Sequence, residues 1–252
     1  MVIIGLGSGR SGTASLSKLI NEQPNSLCFH ELNPACVRYQ GTPQPILNTV
    51  REFRDIVNGG DPLYLTVDMS RHTSAERYEQ LKAMPKVEMI GDIAHYYLRY
   101  VDEILAMDPA VKFVCLKRDR AKTIDSWQRR VAIQRWPSKW LADRLAAWIT
   151  REPFLTSRNP WVEHDGSRWA VDPVWDKCFP KYPASDLPSA IGAYWDDYYQ
   201  RAEQLQAKHP QALRIFRTES LNTPEGQTAV LDFLDWPVER RVSVEAHIRH
   251  SA

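Results

Sequence analysis

A glycine-rich loop directly after the first apolar segment most constrains how this chain can fold. Val2–Leu6 is short and β-rich, and it runs straight into residues 7–13 (GSGRSGT), where a segment of helical period begins. Glycines let backbone N–H groups approach an anion without a Cβ in the way, and a helix N-terminus adds about half a unit of positive charge. Strand, loop and helix in this order predict a phosphate-binding cradle.

Short β-rich runs alternate with helical segments along the rest of the chain, which predicts a P-loop-like α/β fold, a parallel sheet flanked by helices. We expect strands at Val2–Leu6, Ser26–His30, Leu63–Val67, Lys86–Ile90, Lys112–Leu116 and Leu213–Arg217. We expect helices at Thr13–Asn21, Ile46–Val57, Ser74–Met84, Tyr96–Met107, Ala121–Gln134, Ser138–Thr150, Ser189–Lys208 and Glu225–Leu234.

The length of 252 residues and the hydrophobic content of 43% are those of one domain, and we expect residues 1–252 to form it. Residues 152–188 are rich in proline and also carry Trp161, Trp169 and Trp175, so we interpret them as an ordered insertion. They belong to a helical and aromatic region, residues 131–208, that lies between the later strands.

Charge and hydropathy exclude several classes of function. The net charge of +1 provides no global field to gather nucleic acid. No run of 18 or more apolar residues is present, so we expect no membrane span, and no export signal is visible, so we expect a cytoplasmic protein. The histidines show no metal-ligand spacing with carboxylates or thiols, and we expect no metal.

The loop sequence alone leaves the nucleotide open. Residues 7–12 satisfy GxGxxG, and Glu31 lies 19 residues after Gly12, about where a dinucleotide-binding fold has its ribose-binding acid. That alternative is an NAD(P)- or FAD-dependent oxidoreductase. A kinase-type phosphate loop fits less well, because Thr13 then stands where the lysine is needed.

A second basic element favours another nucleotide. Arg10-Ser11-Gly12-Thr13 resembles the 5′-phosphosulfate loop of sulfotransferases that use 3′-phosphoadenosine 5′-phosphosulfate (PAPS). Residues 115–126 resemble that family's 3′-phosphate element, in which an arginine ends a strand and a serine follows eight residues later, here Arg118 and Ser126. A strand ending at Leu116 also brings Arg118 to the carboxyl edge of the sheet, where α/β folds bind ligands.

The resemblance covers the nucleotide-binding elements 2–31 and 86–130, and also residues 213–237, where Ile215–Leu221 resembles the family's late strand and acidic turn. It implies specific roles. Glu31 lies 21 residues after Arg10, a spacing similar to that of the family's catalytic glutamate, and His95 is the second candidate for the general base. Arg10 is expected to stabilise the leaving phosphate. The expected donor-binding residues are Gly9, Arg10, Ser11, Gly12, Thr13, Ala14, Ser15, Arg118 and Ser126.

The function implied by the resemblance is transfer of a sulfuryl group from PAPS to a hydroxyl or amine, with 3′-phosphoadenosine 5′-phosphate (PAP) as product. The acceptor is expected to be a small molecule, a carbohydrate or a tyrosyl group, and the aromatic region 131–208 is expected to lie on its side of the site. A nucleotide-binding module without catalysis is the remaining alternative. The sequence names neither the acceptor nor the oligomeric state.

Overall fold

The fold was analysed in a computed structural model, which describes residues 1–32, 43–69, 71–134, 145, 148, 149, 184 and 186–244. The described residues contain a wholly parallel five-stranded sheet in the order β2–β3–β1–β4–β5. The strands are β1 (Val2–Leu6), β2 (Ser26–His30), β3 (Met89–Ile93), β4 (Lys112–Lys117) and β5 (Leu213–Arg217).

Helices cover both faces of this sheet, which is why β1, its central strand, is apolar along its whole length rather than alternating. The helices are α1 (Thr13–Asn21), α2 (Gln44–Val57), α3 (His72–Ala83), α4 (Val101–Met107), α5 (Arg120–Gln134), α6 (Leu187–Lys208) and α7 (Pro224–Phe233). Short 3-10 helices span Pro62–Tyr64, His95–Tyr100, Thr218–Asn222 and Val238–Arg240.

Two apolar cores lie on opposite faces of the sheet, and β1 contributes to both. Ile4 packs in the core formed with α2, α4 and α6, whereas Ile3 packs in the core formed with α1 and α7. Successive side chains of a strand point to opposite faces, so alternate β1 residues serve alternate cores. The central strand is therefore fixed from both sides, and the loop that follows Leu6 starts from a rigid base.

The α/β prediction is confirmed, and most of the predicted helices coincide with observed ones to within a few residues where the structure describes them. The predicted helix Tyr96–Met107 is a 3-10 helix over His95–Tyr100 and an α-helix only from Val101. The predicted strand at Lys86–Ile90 is shifted to Met89–Ile93. The predicted helix Ser138–Thr150 and the insertion at 152–188 lie almost entirely outside the described residues. Among the described residues, no helix is long and apolar enough to cross a membrane.

The predicted strand at Leu63–Val67 is wrong. Pro62 and the side chain of Asp61, which accepts a hydrogen bond from the Leu63 amide at 2.9 Å, start a 3-10 turn there instead. Leu63 and Tyr64 are exposed, so their β propensity has no partner strand to pack against. The chain then returns to the sheet edge, where the Asp68 amide donates to the carbonyl of Leu32.

Candidate active site

The loop between β1 and α1 has the backbone of an anion cradle. Gly9 and Gly12 have φ values of 76° and 80°, and Arg10 between them is also left-handed at 58°. A Cβ on Gly12 would lie 2.4 Å from the Thr218 methyl, and one on Gly9 would lie 2.8 Å from the Trp127 ring. Glycine is therefore required at both positions by conformation and by space.

The side chains of two adjacent tyrosines of α6 contact the backbone of the loop. The Gly7 amide donates to the Tyr198 hydroxyl at 3.0 Å, and the Ser8 amide lies 3.5 Å from the Tyr199 hydroxyl. Each phenol in turn donates a hydrogen bond to a backbone carbonyl oxygen. Tyr198 donates to His95 at 3.1 Å, and Tyr199 donates to Leu116 at 2.7 Å. Burial raises the pKa of both phenols, so they remain donors. The amides that can face an anion are those from Gly9 onward.

The end of β5 closes the loop on its other side. Thr218 donates its hydroxyl to the Ser11 carbonyl at 2.7 Å. The Ser11 side chain is fully buried, and its Oγ makes no hydrogen bond of ordinary geometry among the described residues. A Cβ on Gly7 would lie 2.2 Å from this Oγ, so the Ser11 hydroxyl fills the space beneath the loop.

Arg10, Arg118 and Ser126 come together beside this loop. Arg10 donates from Nε to the Ser126 hydroxyl at 3.0 Å. Arg118 donates to the carbonyl oxygen of Arg10 at 2.9 Å and so supports the left-handed backbone there. Two guanidinium groups and a hydroxyl thus meet beside the N-terminus of α1, which is a donor set suited to phosphate oxygens.

The strand end that carries Arg118 is itself fixed by α6. Trp195 donates its indole N–H to the Arg118 carbonyl at 3.1 Å, and Lys117 lies over the Trp195 ring. Arg120, the first residue of α5, makes a bidentate pair with Asp196 at 2.9 and 2.7 Å. These contacts orient the β4–α5 turn toward the glycine-rich loop.

At the other side of the loop, β2 ends at His30 and brings that side chain to α1. The His30 Nε2 lies 2.9 Å from the Thr13 hydroxyl. Glu31 follows with a φ of 58°, so the chain turns immediately after the strand. Because of this turn, the alternation of side chains along β2 does not extend to Glu31.

Glu31 is partly exposed and paired with Arg71, whose guanidinium lies 2.9 Å from the carboxylate. Its amide donates to the Ile93 carbonyl at 3.1 Å, which fixes the turn to β3. Asp92, fully buried, stabilises the same turn by accepting from the amides of Leu32 and Ile93. Burial raises the pKa of the Asp92 carboxyl, and hydrogen bonds oppose the increase.

His95 lies at the start of the 3-10 helix that follows β3. It is buried, its ring packs edge-on against Tyr96, and its backbone carbonyl accepts a hydrogen bond from the Tyr198 hydroxyl. Because the Tyr198 hydroxyl also accepts a hydrogen bond from the Gly7 amide, it links the backbone of His95 to the glycine-rich loop. Both candidates for the base therefore stand at the carboxyl edge of the sheet, Glu31 after β2 and His95 after β3.

The sheet order argues against the dinucleotide alternative. In the dinucleotide-binding fold the first two strands are neighbours, in the order 3-2-1-4-5-6. Here β3 separates β2 from β1, and the Glu31 carboxylate is engaged by Arg71 rather than open at the loop. The resemblance of residues 7–12 to GxGxxG is therefore not matched by the topology that this motif requires.

The structure adds supporting residues that the sequence argument missed: His30, Arg71, Tyr198, Tyr199 and Thr218. Thr218 lies in a segment, Ile215–Leu221, that resembles the late strand and acidic turn of sulfotransferases, so its place could have been suspected. The adjacent tyrosines follow the spacing of ordinary core residues, and nothing local in the sequence distinguishes a phenol that supports a distant loop.

Comparison with known proteins identifies a family. A family model described as "Sulfotransferase domain" matches residues 2–238. No curated protein matches the chain. A sulfotransferase domain from the curacin biosynthetic pathway is similar in structure, with 14% identity, a TM-score of 0.46, and coverage of 95% of this chain and 75% of its own. A sulfotransferase from Alicyclobacillus acidocaldarius is also similar in structure, with 14% identity, a TM-score of 0.45, and coverage of 93% of this chain and 81% of its own. The family match alone carries the assignment.

Proposed function

This chain belongs to the sulfotransferase domain family, and from that premise we propose that it transfers a sulfuryl group from PAPS to a hydroxyl or amine acceptor. The observation that carries the proposal is the meeting of two basic segments at the glycine-rich loop. Arg10 binds Ser126, and Arg118 binds the backbone of Arg10. A nucleotide with phosphates at both its 3′ and 5′ positions needs two such segments, whereas a single cradle suffices for one phosphate group.

The donor set fits PAPS in its chemistry. The left-handed loop and the first turn of α1, residues 9–15, would hold the phosphosulfate end through backbone N–H groups and the hydroxyls of Thr13 and Ser15. Arg118 and Ser126 would hold the 3′-phosphate. When bound, PAPS supplies the sulfuryl group that is transferred and leaves as PAP.

Arg10 has the part of stabilising negative charge. Its guanidinium is exposed at the rim of the loop, and Ser126 fixes it through Nε. A preorganised cation at the position where charge grows on a leaving phosphate lowers the barrier more than the same cation in water, because it need not reorient. The pairing with Ser126 supplies that preorganisation.

Glu31 has the part of the general base. Neutral hydroxyls are poor nucleophiles, and a carboxylate within hydrogen-bond reach can take the proton as the new bond forms. Glu31 is more accessible than His95, which is buried under the loop. The ion pair with Arg71, 2.9 Å from guanidinium to carboxylate, orients the Glu31 side chain.

The acceptor proposed is a small molecule, a carbohydrate or a tyrosyl group. The described portion of the region 131–208 that contacts the site is α6, and its inner face serves the donor loop: Tyr198 and Tyr199 are buried against it. We therefore assign these tyrosines to support of the donor site and not to the acceptor pocket.

The test is transfer of radiolabelled sulfate from PAPS to a panel of sugars, phenols and tyrosyl peptides, with PAP release followed in parallel. Acceptor-dependent PAP release is expected for the unaltered chain and for Arg51→Ala, an exposed arginine on α2. Arg10→Ala is expected to abolish it. Binding of PAPS without consumption under any acceptor would favour the non-catalytic nucleotide-binding module.

A further inference from the structure

The contact between His30 and Thr13 joins the end of β2 to the first residue of α1. The two side chains lie 2.9 Å apart, Nε2 to Oγ1, and both are partly buried. Thr13 is one of the residues proposed above to bind the phosphosulfate end. His30 has no part in the activity described so far, although it lies one residue before the proposed base.

Only two proton arrangements satisfy this contact. Either the Thr13 hydroxyl donates to an unprotonated Nε2, or a protonated Nε2 donates to the Thr13 oxygen. A threonine hydroxyl has a single proton. In the first arrangement that proton is directed to the imidazole and away from the ligand, whereas in the second it is available to an anion at the start of α1.

An anion in the loop selects the second arrangement, because phosphate and sulfonate oxygens accept hydrogen bonds and repel lone pairs. We propose that His30 is a positioning residue of the donor site: its Nε2–H donates to Thr13 and so directs the Thr13 hydroxyl proton toward the phosphosulfate end of PAPS. This inference rests on the proposed function, since it concerns how the same donor is held.

The fold fixes the origin of the His30 ring. His30 is the last residue of β2, and the amide of the next residue is bonded to β3. Nε2 is the ring atom that lies against the Thr13 hydroxyl, so a neutral imidazole with its proton on Nε2 is sufficient to donate this hydrogen bond.

The first test is a double-mutant cycle on PAP affinity, measured by calorimetry on the full chain. His30→Ala is expected to weaken binding about tenfold, the effect of losing one hydrogen bond to a charged ligand. His30→Gln, which keeps an N–H donor at a similar reach, is expected to bind within about threefold of the unaltered chain. Thr13→Val removes the hydroxyl and is expected to match the His30→Ala loss.

The double variant decides between positioning and general support. If His30 acts through Thr13, adding His30→Ala to Thr13→Val weakens binding no further. Multiplied losses in the double variant, or unchanged affinity in His30→Ala, would overturn the inference while leaving the proposed function intact. His72→Gln, on an exposed histidine of α3, is the matched control and is expected to bind like the unaltered chain.

Nitrogen-15 spectra of the histidine rings give a second readout that a purely structural role would not move. In the complex with PAP, Nε2 of His30 is expected to carry a proton, and an unprotonated Nε2 there would contradict the inference. If the unaltered chain binds no PAP at all, the proposed function fails and the inference with it, an outcome distinct from binding that ignores His30.

Discussion

Arg10 donates a hydrogen bond from Nε to the Ser126 hydroxyl at 3.0 Å, although 116 residues separate them in the chain. The first belongs to the loop after β1 and the second to the helix after β4, and the two strands are neighbours in the sheet. In a parallel sheet, the carboxyl ends of adjacent strands meet at one edge, so two basic segments far apart in sequence form one site.

Arg118→Ala is expected to weaken PAP binding by about tenfold to a hundredfold, since it removes charge-assisted hydrogen bonds of roughly 1.5–3 kcal/mol. It also removes the support of the Arg10 carbonyl. Calorimetric titration measures the loss, with Arg51→Ala as an exposed control of the same charge. Equal affinity in Arg118→Ala and in the control would contradict the assignment of Arg118 to a phosphate.

Glu31→Gln is expected to leave PAP affinity within about twofold and to lower turnover at least a hundredfold, as removal of a general base does. The substitution keeps the size of the side chain and a hydrogen-bonding partner for Arg71. Steady-state rates and PAP titrations on the same preparation separate the two effects. Unchanged turnover would transfer the role of base to His95 or to no side chain.

Much of this site follows from local sequence, and the remainder depends on long-range contacts. Short sequence motifs are enough to predict a role for Gly9, Gly12, Arg10 and Arg118. The support of the loop by Tyr198 does not, because the two positions are 191 residues apart and a tyrosine at a core position looks like any other. The failed strand at Leu63–Val67 has the same cause: β propensity was present, and a neighbouring strand was not.

Tyr198→Phe tests that long-range support. It leaves the buried Gly7 amide and the His95 carbonyl without the hydroxyl between them, so the free energy of unfolding is expected to fall by about 1–3 kcal/mol. Denaturant unfolding gives the value, and Tyr64→Phe, at a side chain that is 76% exposed, is the control. A loss no larger than that of the control would show that the hydroxyl does not stabilise the loop.

Acid is expected to lower the stability of the fold by disrupting the ion pairs of Glu88, the residue directly before β3. Hydrogen bonds from Lys86 and Arg240 lower the pKa of Glu88 to about 2, from an ordinary value of 4.5. A lowered folded-state pKa adds stability above the ordinary value, and that stability is lost as the pH falls from about 4.5 toward 2.

The corresponding variant is Glu88→Gln, compared with the unaltered chain by denaturant unfolding between pH 6 and pH 2. The unaltered chain is expected to be more stable at pH 6, and the difference is expected to shrink on acidification. A difference that stays constant over this range would mean that the ion pairs of Glu88 do not contribute to the free energy of unfolding. Many partly exposed ion pairs contribute nothing measurable to stability.

The most direct test of the central claim is calorimetric titration of the purified chain with PAP, with NADH and ATP titrated in parallel. Two phosphate-binding segments at one sheet edge predict tight binding of the 3′,5′-bisphosphate, much weaker binding of ATP and none of NADH. Preference for NADH or ATP over PAP would contradict the account, because neither carries the 3′-phosphate that Arg118 and Ser126 are proposed to hold.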